Sequence, residues 1–255
     1  MLMKLIVCII AGLGAGIGTG FAGLSAAAVI SPMLITFLGF EPYEAVGIAL
    51  ASDVLASAIS AYTYGKNKNL DIKNGLVMLV TVLIFTLFGS YIASKVPGTT
   101  MGNLSVFMTF LLGIKFIVKP VMTTKEVQAN KSAKQKFIQS VISGIVIGFI
   151  CGFIGAGGGM MMLLILTMVL GYELKTAVGT SVFIMSFTAF TGAASHFAIG
   201  GLPDPVAFII CVAATLIGAQ VSAKIANKSD AKTLNRMTGI VLAVLGAVMI
   251  LVKML

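Results

Sequence analysis

Two stretches decide the fold of this chain: GLGAGIGTGFAG at residues 12–23 and GIVIGFICGFIG at residues 144–155. Each sets a glycine at every fourth position inside apolar sequence, Gly12, Gly16 and Gly20 in one and Gly144, Gly148 and Gly152 in the other. They are also copies of one another. A shift of 132 residues aligns 12–71 with 144–203 without a gap and gives 14 identities in 60 positions, among them Gly23 on Gly155, Gly39 on Gly171 and Ala45-Val46-Gly47 on Ala177-Val178-Gly179. Chance at this composition supplies roughly a third as many, so the chain reads as an internal duplication. Residues 1–22, with Lys4 ahead of a short apolar run, have the outline of a signal peptide. Their counterpart in the second copy is internal, so the segment is expected to be mature structure and not cleaved.

Composition sets the class. Of 255 residues, 58% are hydrophobic and 10% charged, and the mean hydropathy is +1.09. A soluble domain of this size cannot hide that much apolar surface, and a disordered chain has the opposite balance. The runs are continuously apolar rather than alternating, which selects helices over a β-barrel. The expected fold is an all-α polytopic membrane protein embedded in the lipid bilayer. The net charge of +9 is spread between apolar runs and forms no contiguous groove or arm, so nucleic acid is not an expected partner. Cys8, Cys151 and Cys211 lie inside apolar runs with no CxxC pair and read as small buried hydrophobes, not as disulfide or zinc ligands.

Each copy divides into four apolar blocks: 5–39, 45–65, 75–94 and 103–118, then 138–171, 177–198, 206–223 and 237–252. The leading blocks are too long for one crossing, since about 35 helical residues reach about 50 Å against a hydrocarbon core of about 30 Å. Each is interrupted by small residues, Gly20–Ala28 or Gly155–Gly159. Each leading block therefore reads as two half-length helices joined by a glycine-rich break, followed by three transmembrane helices. Residues 1–119 form the first repeat, 120–136 a linker and 137–255 the second repeat of one integrated membrane domain.

Loop charge orients these repeats. The linker carries Lys125, Lys131, Lys134 and Lys136 against Glu126, which makes it cytoplasmic. The loop after the second block of copy one is basic, with Lys66, Lys68 and Lys73, whereas its equivalent at 199–205 holds only Asp204. The following loop of copy two carries Lys224, Lys228, Lys232 and Arg236. Reversed bias between homologous loops is what two oppositely inserted repeats show, an arrangement common among secondary transporters. Parallel repeats with uninformative loop charge are the alternative.

Chemistry is sparse. There is no P-loop, GxSxG, HExxH or EF-hand pattern, and no nucleophile–base pair, so neither an enzyme nor a cofactor is expected. The every-fourth glycines read as helix-packing faces, which would serve equally within a monomer or between subunits of an oligomer. The run Gly155-Ala156-Gly157-Gly158-Gly159 is too glycine-dense for a stable helix. Amides freed at such a break can hold an anion, which makes Gly157, Gly158 and Gly159, with Ser25, Ala26 and Ala27 of the first copy, candidate substrate ligands; a plain hinge is the other reading. Thr180 and Ser181 follow, and Ser181, Thr188 and Ser195 share a helix face, as do Asp53, Ser57, Ser60 and Tyr64 in copy one. Such stripes line a polar pathway or bond back to their own helices. Asp53 is the acid well inside a span, where it serves proton or Na⁺ coupling or a hydrogen-bonded structural role. His196, near a span end, is a proton relay or an interfacial hydrogen-bonding group.

The duplicated glycine-rich block, the run Gly155–Gly159 and Ala177-Val178-Gly179-Thr180-Ser181 together resemble the sulfite exporter TauE/SafE family, also called the sulfonate uptake permeases, over nearly the whole chain. That resemblance implies a secondary transporter of small sulfur-containing anions, such as sulfite, thiosulfate, sulfoacetate or other sulfonates, in a bacterial or archaeal plasma membrane. The first copy departs from the pattern, with Leu24-Ser25-Ala26-Ala27 in place of the glycine run and Ile48-Ala49 in place of Thr180-Ser181. Binding is therefore expected to centre on the second copy, by alternating access. The alternatives are a proton- or Na⁺-coupled carrier of a different solute centred on Asp53, and a membrane scaffold that transports nothing.

Overall fold

The computed structural model describes residues 1–93, 110, 114, 117–119, 132–154 and 158–254. Most of the block at 103–118, linker residues 120–131 and Gly157 lie outside them. The described residues are all-helical, without strands: α1 (Leu2–Ala22), α2 (Ala27–Leu38), α3 (Pro42–Lys66), α4 (Ile72–Ala93), α5 (Ala133–Ile154), α6 (Gly158–Leu164, continued by a π-helical turn Ile165–Val169), α7 (Leu174–Gly200), α8 (Pro205–Lys228) and α9 (Ala231–Met254). Among them α1, α3, α7, α8 and α9 contain segments long and apolar enough to cross a bilayer.

The duplication is visible in the helix boundaries. Adding 132 to the first residues of α1–α4 gives 134, 159, 174 and 204, against observed starts of 133, 158, 174 and 205 for α5–α8. The turns repeat as well. Gly39 and Gly171 both end the hairpin in left-handed conformation, φ +65° and +70°, where a side chain would be strained. Glu41 and Glu173 then occupy equivalent cap positions ahead of α3 and α7.

The leading block breaks where the small residues cluster, but its arms are unequal. α1 has 21 residues and α2 has 12, about 30 Å and about 18 Å, so the first arm is not a half-length helix. α1 outlasts its five glycines because the face carrying Gly12, Gly16 and Gly20 is packed and buried. A Cβ on Gly12 would lie 2.7 Å from the Ala214 side chain, one on Gly16 would overlap the Thr215 carbonyl, and one on Gly20 would overlap the Ser222 hydroxyl. α1 and α8 thus run side by side in the same direction with their backbones nearly touching. Gly144 and Gly148 seat α5 on α4 in the same way, against Met78, Thr81 and Val82.

The hairpin of α1 and α2 returns to the end from which it started. The Lys4 ammonium lies 5.4 Å above the Phe40 ring just past α2, and it pairs with Asp204, the cap of α8. The Asp204 carboxyl is held below its ordinary range by the Ala207 amide and then by Lys4. Across the molecule α3 packs against α7 head to tail. Gly47, near the start of α3, faces His196 and Phe197, whereas Gly179, near the start of α7, faces Tyr64 and the Asn69 carbonyl.

Gly16→Ala is expected to lower the unfolding temperature in detergent by several degrees, because a methyl group there must push α1 off α8 at a cost of about 1–3 kcal/mol. Gly14→Ala, whose Cβ would have no neighbour nearer than 3.9 Å, is the control and should be neutral or slightly stabilising. Equal melting curves for the two would remove the α1–α8 contact from the account.

Candidate functional site

A helix that ends inside a membrane leaves carbonyl groups with no water to satisfy them. At the end of α1, side chains take that part. The Tyr64 hydroxyl donates to the Gly20 carbonyl at 2.8 Å, Thr238 to Phe21 at 3.1 Å, Ser181 to Gly23 at 3.4 Å and Thr19 to Leu24 at 2.8 Å. Backbone amides of Gly23 and Leu24 close on Thr19 and Gly18. Four hydroxyls from α1, α3, α7 and α9 therefore hold one break, and Gly23, at φ +62°, turns the chain there.

The second hairpin meets the first at this point. A Cβ on Gly159 would sit 2.6 Å from the Gly23 carbonyl, 2.9 Å from the Ser25 amide and 2.8 Å from the Met185 sulfur. Only glycine fits, so the first turn of α6 lies directly against the break that follows α1. Beside this contact a cavity of about 380 Å³ opens between α3, α4, α6 and α7. Its polar lining comes from Ser25, Asp53, Thr86, Thr188 and His196, and its apolar lining includes Ala27, Met162 and Met185.

Asp53 dominates the lining. Its carboxylate accepts from Ser25 at 2.7 Å on one oxygen and from Ser57 at 2.7 Å on the other, with the Ala26 backbone N–H also directed at it. The side chain is 1% exposed, yet it faces the cavity. His196 borders a second cavity of about 390 Å³ as well, which lies at the Lys4–Asp204 end and includes Glu41, Tyr43 and Glu44. The His196 ring stacks on Tyr43 at 4.1 Å, and its Nδ1 lies 3.1 Å from the Tyr43 carbonyl. The histidine thus stands between the two cavities.

The structure brings Ser25, Ala27, Gly159, Asp53, Thr188 and His196 to one cavity. Gly158 opens α6 beside them. Ala26 and Ser57 lie directly behind the wall, both fully buried. Ser60 is buried with no hydrogen-bond partner, and Thr188 bonds back to the Met185 carbonyl. Ser195 lies on α7. Thr180 and Ser181 do not border the cavity: Ser181 holds Gly23, and the Thr180 oxygen accepts from the Asp71 amide at 3.2 Å.

That last bond belongs to a network which sequence reading missed. Asp71 caps α4 through the Asn74 amide, accepts from the Asn74 side chain at 2.6 Å and accepts from the Tyr172 hydroxyl at 2.9 Å. Burial, and secondarily the Asp71 charge, push the Tyr172 phenol far above its usual range, so it remains a donor. The signal was present: Asp71 and Asp204 each precede a helix as its cap, offset by one residue in the alignment, and so no identity recorded them.

Duplicated helices, broken hairpins meeting back to back and a cavity enclosed between them define a multi-pass membrane protein of the transporter class. The family is the sulfite exporter TauE/SafE family, to which the chain belongs: its profile matches residues 8–249. The chain is similar to two probable membrane transporter proteins of Bacillus subtilis, YdhB, at 24% identity over 83% of this chain and 86% of that one, and YunE, at 26% over 97% and 98%. It is likewise similar to a probable membrane transporter protein of Methanocaldococcus jannaschii, at 26% identity over 98% of this chain and 97% of the other.

Tyr64→Phe strands the Gly20 carbonyl and is expected to cost about 1–3 kcal/mol, more than Ser181→Ala, whose bond to Gly23 is longer. Thermal unfolding of both variants in one detergent checks the order; the reverse order would make Ser181 the principal brace.

Proposed function

We propose that this chain is a secondary carrier of a small sulfur-containing anion, sulfite, thiosulfate, sulfoacetate or another sulfonate, working by alternating access and not as an enzyme. The observation that carries this reading is the contact of the first turn of α6 with the break after α1, at the wall of a cavity with room for such an anion. The family's description as sulfite exporters supplies the substrate class. The anion is held near Ser25, Ala27 and Gly159 by hydroxyl and backbone dipoles, with the amides of Gly157 and Gly158 completing the site. Ser181 contributes by fixing the break after α1, Thr180 by holding the Asp71 loop, and Ala26 through the amide it directs at Asp53. Dipoles suit a carrier, since no lysine or arginine among the lining residues would bind the anion too tightly to release it.

The head-to-tail pairing of α3 with α7 supports oppositely inserted copies, because equivalent helices of parallel copies would run the same way. On this reading the linker and the Lys66–Lys73 loop face the cytoplasm of a prokaryotic cell, and His196 and the acidic second cavity face outward. Thr188, Ser195 and Ser60 mark the route that α3 and α7 open in turn. A cation-coupled carrier of another solute is the second reading, favoured by the placement of Asp53 on the cavity.

Uptake of labelled sulfite into proteoliposomes should be saturable and competed by thiosulfate and sulfonates but not by acetate. Ser181→Ala should slow it severalfold through the loosened break, with the protein still folded. Competition by acetate as strong as that by thiosulfate would remove the sulfur-anion reading.

A further inference from the structure

The cavity assigned to an anion contains one fixed charge of the wrong sign. Asp53 borders it, and no lysine or arginine does among the described residues. The charged groups on the elements packed against α3 stand at or near helix ends: Lys4 on α1, Lys175 on α7, Asp204 and Lys228 on α8, with Lys224 about a turn inside. His196 is the other titratable group on the cavity, at its outer limit beside Tyr43. An anion brought beside an ionised carboxylate in a site walled by methionine and valine meets repulsion that no lysine or arginine on the lining offsets. The Ser25 hydroxyl, which lines the cavity, is also engaged by that carboxylate.

We propose that Asp53 is the proton-binding residue that lets this cavity accept its anion, so that each anion crosses together with one proton. The proposal rests on the anion-carrier reading above and deepens it. A proton from the aqueous side adds to an Asp53 carboxylate oxygen. The neutral carboxyl no longer repels the anion, and it releases the Ser25 hydroxyl to donate to an oxyanion oxygen. On the other side the anion leaves, the proton returns to water, and the carboxylate takes back its Ser25 bond. A sodium ion would need several converging oxygens, whereas the lining side chains supply one carboxylate and three hydroxyls, on Ser25, Thr86 and Thr188. The duplication sets the count of carboxylates. Asp53 and Ser57 correspond to Met185 and Ala189 in the second copy, so the two copies supply one such carboxylate and not two.

The test uses the full chain in proteoliposomes with methanesulfonate, whose own charge does not change between about pH 5 and about pH 8. An inward methanesulfonate gradient should acidify a lumenal pH dye, and an inward proton gradient should raise uptake about tenfold or more. Asp53→Asn should abolish both responses yet retain exchange of labelled for unlabelled anion, now flat with pH. Ser57→Ala removes a hydroxyl that braces the carboxylate from behind the wall. It should keep coupling while moving half-maximal uptake to higher pH, because the less braced carboxylate takes up a proton more readily. Methanesulfonate uptake without lumenal acidification, or an Asp53→Asn protein that still acidifies the lumen, overturns the proposal and leaves the carrier reading standing. An inactive but folded Asp53→Asn protein together with an unshifted Ser57→Ala profile also overturns it. Proton-coupled uptake of acetate with no response to sulfite, thiosulfate or methanesulfonate would uphold Asp53 and remove the sulfur-anion reading instead.

Discussion

The end of α1 depends on hydroxyl groups replacing water. Its last carbonyls fall inside the apolar part of the molecule, where an unmet acceptor is costly. Tyr64 and Thr238 meet those of Gly20 and Phe21, and Ser181 and Thr19 meet those of Gly23 and Leu24 in the break beyond it. Since three of these donors belong to α3, α9 and α7, the break can form only once those helices are in place. The hairpin and the bundle around it are therefore one cooperative unit. The glycine faces serve the same end by a different means, bringing α1 against α8 and α5 against α4 so closely that backbone contact replaces side-chain packing.

Duplication gives this arrangement its form and divergence gives it its chemistry. Helix starts and hairpin glycines repeat nearly residue for residue, so both copies offer a broken hairpin to the same central contact. What lines the cavity differs between them. Copy one contributes Ser25 and Asp53, a hydroxyl and a charge, where copy two has Gly157 and Met185. The first half therefore supplies the carboxylate and the second the bare backbone that Gly159 presses against the Ser25 amide.

Much of this was legible in the sequence, because the signals were of the kind that survive without an alignment. A fixed period of 132 residues placed the helix boundaries, and composition alone placed the chain in a membrane. Ser25, Asp53, Thr188 and His196 could be singled out as polar residues on otherwise apolar faces, and the fold brings them to one cavity. Two things were not legible. The unequal arms of the hairpin follow from tertiary packing that overrides the helix-breaking tendency of Gly14, Gly16 and Gly18. The side on which Thr180 and Ser181 fall depends on how the Asp71 loop docks on α7, a contact between residues 109 apart in the chain. Hydroxyl stripes look alike in sequence whether they face a cavity or brace a backbone.

The proposed proton at Asp53 would reconcile the two sequence-level alternatives, an anion carrier and a cation-coupled carrier. Considered as an anion site alone, the cavity has a carboxylate in the wrong place. Considered as a metal-ion site alone, it has too few oxygens near that carboxylate. A proton removes both difficulties, because it needs one acceptor and leaves the cavity neutral. It also accounts for the placement of Ser57, which holds the second carboxylate oxygen at 2.7 Å from a fully buried position where it touches no substrate. A residue so placed can only tune the acid. On the proposed proton-coupled cycle, the pairing of a cavity-side donor, Ser25, with a hidden one, Ser57, would keep the carboxylate braced when its first partner turns to the anion.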